Sequence, residues 1–170
     1  MINDRLTDQV FYMRADSEWV LKRTQDLFND KEIVVFGLPG AFTPTCSAFQ
    51  LPKYEELYDD FKEQGIDEVY CTAVNDSFVM NSWLDNHEIK KVKALPDGNG
   101  DFAASIGMLA DFKNRGFGMR SWRYSMYVKN SEIQVRYSEW GEPQDCPIQD
   151  PFDVSNAEKM LEAIKHLKQH

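Results

Sequence analysis

Residues 32–46 read EIVVFGLPGAFTPTC, and this stretch decides the architecture. Ile33-Val34-Val35-Phe36-Gly37 is an unbroken, β-branched apolar run bounded by Gly37 and Pro39. Such a run reads as a strand buried on both faces, the situation inside an α/β sheet. It enters a loop rich in Gly, Pro and Thr, and then FQLPKYEELYDDFKEQG. There Phe49, Tyr54, Leu57, Tyr58 and Phe61 fall near helical spacing, and Gly65 is a natural stop. Pro52 is expected to kink that helix or leave its first turns irregular. Cys46 therefore stands close to the start of a helix, just after a buried strand.

Working outward, Val10 to Met13 reads as a strand, followed by a short helical turn opened by Thr24. Beyond Gly65, Glu68 to Val74 reads as a second sheet strand, and Asp76 or Ser77 caps a helix carrying Trp83 and Leu84. Val92 to Leu95 is a short strand closed by the turn Pro96-Asp97-Gly98-Asn99-Gly100, with a brief helix around Phe102 to Ile106. A glycine-punctuated loop runs through Gly116 and Gly118. Arg123 to Val128 and Ile133 to Tyr137 flank Lys129-Asn130-Ser131 as a β-hairpin. Gly141 to Pro151 is a loop, and Ser155 is the expected cap of a final amphipathic helix. Strands alternating with helices imply an α/β sandwich. No composition shift marks a linker, so residues 1–170 read as a single domain.

Composition removes several function classes. The 170 residues carry 28 acidic and 19 basic side chains, a net charge of −9, which argues against nucleic-acid binding. It also gives no attraction to an anionic membrane, and no apolar run is long enough to span one. The start lacks a signal-type apolar core, and Asn75-Asp76-Ser77 reads as a chance match to the glycosylation triplet. Three cysteines, an odd number, exclude a closed set of intrachain disulfides and fit a reduced, cytoplasmic chain or one with a reactive thiol. His87, His166 and His170 are scattered without metal-ligand spacing, and nothing calls for a cofactor.

Cys46 is the candidate nucleophile. Sites in open α/β sheets cluster beyond the carboxyl ends of strands, and a helix start offers unpaired N–H groups that favour a thiolate. A thioredoxin-type exchanger would need Cys-x-x-Cys, and Thr43 occupies the first of those positions.

Pro39, Thr43 and Cys46 stand as P-x-x-x-T-x-x-C, and the string FGLPGAFTPTCS resembles the type II, or type five, peroxiredoxins. The resemblance continues through VNDSFVMNSW, LPDGNGDFAASIGM and GFGMRSWRYSMYV, and covers the chain from about Val10 to Leu167. It is especially similar to the peroxiredoxin part of bacterial peroxiredoxin–glutaredoxin fusions. The resemblance implies a thioredoxin-like fold, a central mixed β-sheet flanked by helices. It further implies a thiol peroxidase, reducing hydrogen peroxide and organic hydroperoxides through a Cys46 sulfenic acid. Thr43 then matches the threonine that holds thiolate and peroxide, and Pro39 the proline that shields the pocket. Arg123 matches the arginine that completes the site, with Arg120 as the competing choice. Without the resemblance, either arginine reads as half of a surface ion pair.

A thiol of pKa about 8.5 is only roughly 3% ionised at pH 7, and lowering it to about 6 gains roughly 30-fold. Preorganised donors on the leaving oxygen can contribute roughly 3–4 kcal/mol each, so they matter more than ionisation. Arg123, the Thr43 hydroxyl and the Cys46 N–H are the expected donors.

The sulfenic acid needs a second thiol. Cys71, in the strand Val69 to Val74, matches a second cysteine of many type II members but reads as a packed structural thiol. Cys146, in the loop Glu142-Pro143-Gln144-Asp145-Cys146-Pro147, is the other possible resolving cysteine, with Asp145 and Asp150 disfavouring its thiolate. Glutathione, with or without glutaredoxin, is the first choice of reductant. Thioredoxin would serve an enzyme that resolves through Cys146. The resemblance also implies a homodimer. A non-catalytic redox sensor or binding module on the same fold is the rival class.

Overall fold

The computed structural model describes residues 4–45 and 49–169. A five-stranded mixed sheet organises the chain, in the order β5(Lys93–Pro96), β4(Glu68–Ala73), β3(Glu32–Gly37), β8(Tyr124–Lys129), β9(Glu132–Ser138). β3, β4 and β5 run parallel, while β8 and β9 run antiparallel to their neighbours. The apolar run of β3 is explained by its position in the middle. Val34 and Phe36 face a cluster with α2(Leu51–Glu56), α3(Tyr58–Glu63), α4(Ser77–Asn86) and α6(Ala157–Lys168). Ile33 and Val35 face a second cluster containing Phe28 of α1(Thr24–Phe28), Phe102 of α5(Asp101–Ser105), Trp122 and Met126. At the strand's end a side chain on Gly37 would lie 2.1 Å from the ring of its cross-strand partner Tyr124, so no larger residue fits there.

Several elements differ from the sequence reading, each for a local reason. β2(Glu18–Arg23) pairs with β1(Val10–Ala15) through a two-residue turn, with Asp16 and Ser17 both at positive φ. Only Val20 of β2 is even partly buried, so the strand carries no apolar alternation to read. The glycine-punctuated loop contains a second hairpin, β6(Leu109–Asp111) with β7(Met119–Ser121), around a single 3-10 turn at Lys113–Arg115. The helix expected across Phe49 to Phe61 is two helices. Pro52 sits in the first turn of α2, where its missing N–H does no harm, and the break falls at Leu57 (φ −93°, ψ 6°). The turn before α2, at Phe49 and Gln50, is a wider π-type turn, the irregularity expected of the segment before Pro52. α6 is capped by Asn156, which accepts Lys159 N–H, because the Ser155 hydroxyl is directed at Glu139 instead. Of the two cap candidates for α4, Asp76 is the cap, accepting the Val79 N–H, and Ser77 is the first helical residue.

Asp97, 7% exposed at the end of β5, accepts the N–H groups of Phe102 (3.0 Å) and Ala103 (2.9 Å) at the start of α5. Burial raises its pKa from 3.8 to about 6, outweighing those two donors. The folded protein therefore holds this proton more tightly than the unfolded chain. The resulting stability is full below about pH 4 and is lost as pH rises through 6, a step of about 3 kcal/mol. Urea unfolding of wild type and Asp97→Asn across that range should show the step only in wild type. A constant difference between the two proteins would contradict it.

Candidate active site

Cys46 lies outside the described residues, so the structure is read from the groups around its place in the sequence. The chain leaves β3 through Leu38, whose N–H bonds Thr72 O (3.2 Å), and turns at buried Pro39 and Gly40. Ala41 N–H is fixed to Asn75 Oδ1 (3.0 Å), and Phe42 follows at φ +67° with its ring half exposed. The Thr43 hydroxyl donates to Gly40 O at 2.7 Å. A hydroxyl whose proton is committed this way offers lone pairs to its neighbours, so Thr43 is set as an acceptor rather than a donor.

Arg123, immediately before β8, is 1% exposed. Its Nη1 donates to Gln50 Oε1 (2.6 Å) and its Nη2 to Asp150 Oδ1 (2.7 Å). Its ion pair is thus buried on the arginine side, unlike the surface pair that residue type alone suggests. Pro39 and Arg123 line one crevice, too narrow to admit a water-sized sphere, with Phe112, Trp122, Asp150 and Pro151. Thr43 is not among its lining residues. Arg120 serves the same loop differently, donating from Nη1 to Pro39 O (3.1 Å). A side chain on Gly40 would meet that guanidinium at 2.5 Å, so glycine is what lets Arg120 approach.

The other two thiols are separated by their surroundings. Cys71 is fully buried in β4, in register with Phe36 and Ala94. Cys146 is half-buried at φ +49°, and its segment is pinned to the second hairpin. Cys146 N–H donates to Asp111 O (2.7 Å), Asp111 N–H to Asp145 Oδ1 (2.9 Å), and Asn114 Nδ2 to Pro147 O (3.1 Å). Asp150 turns to Arg123. Among the described residues no cluster of His, Cys, Asp or Glu suits a metal ion. None of their helices is long and apolar enough to cross a membrane. Sequence reasoning missed Gln50 and Asp150, which lie 73 and 27 positions from Arg123 and carry no local signal of the pairing.

A model of the Redoxin family matches residues 9–161. A peroxiredoxin from Synechocystis is 44% identical over 97% of this chain and 92% of its own length. The chain is a peroxiredoxin of the Redoxin family. A hybrid peroxiredoxin from Haemophilus influenzae is also 44% identical, over 96% of this chain and 66% of the hybrid. The crystal structure of the Plasmodium falciparum antioxidant protein, a 1-Cys peroxiredoxin, superposes with a TM-score of 0.90 at 36% identity. It covers 96% of this chain and 99% of that one. These similarities agree with the type II, type five, reading, and the fold is thioredoxin-like as expected. This peroxiredoxin is a thiol-dependent peroxidase.

Proposed function

We propose that Cys46 is the peroxidatic nucleophile of a single-domain enzyme that reduces hydrogen peroxide and organic hydroperoxides, with glutathione, alone or through glutaredoxin, as reductant. The Cys46 thiolate attacks one peroxide oxygen, a sulfur–oxygen bond forms and the O–O bond breaks. The departing oxygen takes up a proton and leaves as water or an alcohol, and Cys46 is left as sulfenic acid. A first thiol then forms a disulfide with Cys46 and releases water, and a second thiol frees the Cys46 thiolate.

The observation that supports this assignment is the buried Arg123 guanidinium, tethered by Gln50 and Asp150 and sharing a crevice with Pro39 of the loop that leads to Cys46. A planar fork of charged donors held by Gln50 and Asp150 is suited to charge growing on a leaving oxygen. Because Asp150 offsets its charge, Arg123 contributes directed hydrogen bonds more than a long-range field. Thr43, whose hydroxyl donates to Gly40 O, accepts a hydrogen bond from the peroxide O–H. Pro39 walls the cleft against water.

An external reductant fits the surroundings of the other thiols. Cys71 is inside the core, and the segment that bears Cys146 is held by three hydrogen bonds to the second hairpin. Glutathione is the abundant thiol of a reducing cytoplasm, where we place the enzyme, as a homodimer. Mass spectrometry after one equivalent of peroxide in the presence of glutathione tests the scheme. The expected product is a glutathione adduct on Cys46. A Cys46–Cys146 disulfide would overturn the choice of reductant, and an unmodified Cys46 would overturn the nucleophile.

A further inference from the structure

Glu139 directly follows β9 and is 1% exposed. Its Oε1 accepts the Asp153 N–H (2.9 Å), and its Oε2 accepts the N–H groups of Val154 (2.9 Å) and Ser155 (2.8 Å) and the Ser155 hydroxyl (2.7 Å). A buried carboxylate is unfavourable unless its lone pairs are filled, and here four donors from three consecutive residues fill them. No neutral side chain of this size accepts so many. The same residue is joined to the other side of the site through its backbone. Its N–H donates to Arg123 O (3.1 Å), and its C=O accepts the Trp122 indole N–H (2.7 Å).

The segment that Glu139 fastens supplies or supports both partners of the Arg123 guanidinium. Asp150, three residues before the first of those donors, takes Nη2. Ser155 O accepts the Tyr54 hydroxyl (2.9 Å) and Gln50 Nε2 (3.5 Å), and Gln50 Oε1 takes Nη1. Through one residue, its backbone on one side and its carboxylate on the other, the backbone of Arg123 is joined to the segment that carries Asp150 and supports Gln50.

We propose that Glu139 is a positioning residue that sets the orientation of the Arg123 guanidinium and through it the rate of peroxide reduction. The proposal rests on the reading of Arg123 as a donor to the reacting peroxide. Glu139→Gln keeps the size but turns an amide NH2 toward backbone N–H donors, releasing the segment that bears Asp150. Misplacing a reacting group by a fraction of an ångström to an ångström lowers rates by roughly ten- to a hundredfold.

The test compares two second-order rate constants of Cys46 in folded protein, for hydrogen peroxide and for alkylation by iodoacetamide, whose reaction breaks no O–O bond. Glu139→Gln should lower the peroxide constant at least about tenfold relative to alkylation, and should add no further loss in an Arg123→Met background. An unchanged ratio, or the same loss in both backgrounds, overturns the proposal, because a general structural defect would act without Arg123. If Arg123→Met itself leaves the peroxide constant intact, the reading of Arg123 fails and the positioning role fails with it. A loss in Arg123→Met without one in Glu139→Gln overturns only the role of Glu139. Should Glu139→Gln not be recovered folded, Glu139→Asp carries the same comparison, being one methylene too short to reach all three backbone donors.

Discussion

Cys46→Ser is expected to reduce peroxide consumption to the uncatalysed background. A serine hydroxyl ionises far too weakly at neutral pH to attack the O–O bond, and it has no counterpart of the sulfenic acid that a thiol reductant recycles. The loss should appear with glutathione and with thioredoxin alike, because both act after the peroxide step. Steady-state peroxide consumption checks it, with circular dichroism to confirm the fold. Turnover that survives would move the nucleophile to Cys71 or Cys146. Cys71 is buried beside Phe36 and Ala94, so only Cys146 would then have a direct route to solvent.

Arg123→Met should lower the peroxide rate constant by roughly 10²–10³-fold, the scale of removing a preorganised donor from a developing oxyanion. Methionine fills most of the volume and supplies no N–H. Removing the guanidinium also leaves Gln50 and Asp150 without the bonds that now order them. Breaking a buried ion pair costs about 3–5 kcal/mol, and less is expected here because the Asp150 side chain is 31% exposed. Rates must therefore be taken on protein shown to be folded by its thermal transition. Arg123→Lys separates charge from geometry. A point-like ammonium on a flexible stem keeps the charge but cannot reproduce the fork, so roughly tenfold or more should still be lost. Full activity in Arg123→Lys would mean that charge alone suffices, and full activity in Arg123→Met would leave Arg120, on Pro39 O, as the arginine to test next.

What could be read in advance follows a physical pattern. β3 was legible because Ile33 through Phe36 are apolar on both faces, and α4 because Asp76 is both a cap former and the residue that caps it. β2 was not legible, since a strand exposed on nearly every residue is specified by its partner and its turn rather than by alternation. The three-residue strands β6 and β7 are too short to carry a period at all. The break at Leu57 interrupts a pattern that remains helical on either side, so the apolar spacing passes over it. The motif residues Pro39, Thr43 and Arg123 could be named because the resemblance names them. Gln50, Asp150 and Glu139 could not, since their work is done through contacts between segments far apart in the chain. Ser155 looked like a cap for the same reason, its hydroxyl being taken by a carboxylate sixteen positions earlier.

The order in which the sheet is laid down has a consequence for how the protein is made. β3 takes β4 on one side within about forty residues, but its other neighbour, β8, begins only at Tyr124. A ribosome that has released the chain through β5 has delivered three parallel strands whose most apolar member still has an open flank. Pairing that flank requires closing a loop of nearly ninety residues, which is slow, and an unpaired apolar edge invites pairing with other chains. Nascent or truncated chains that stop short of Lys129 are thus the species most in need of a chaperone. The segment that seals the sheet is the same one that brings Arg123 beside Pro39.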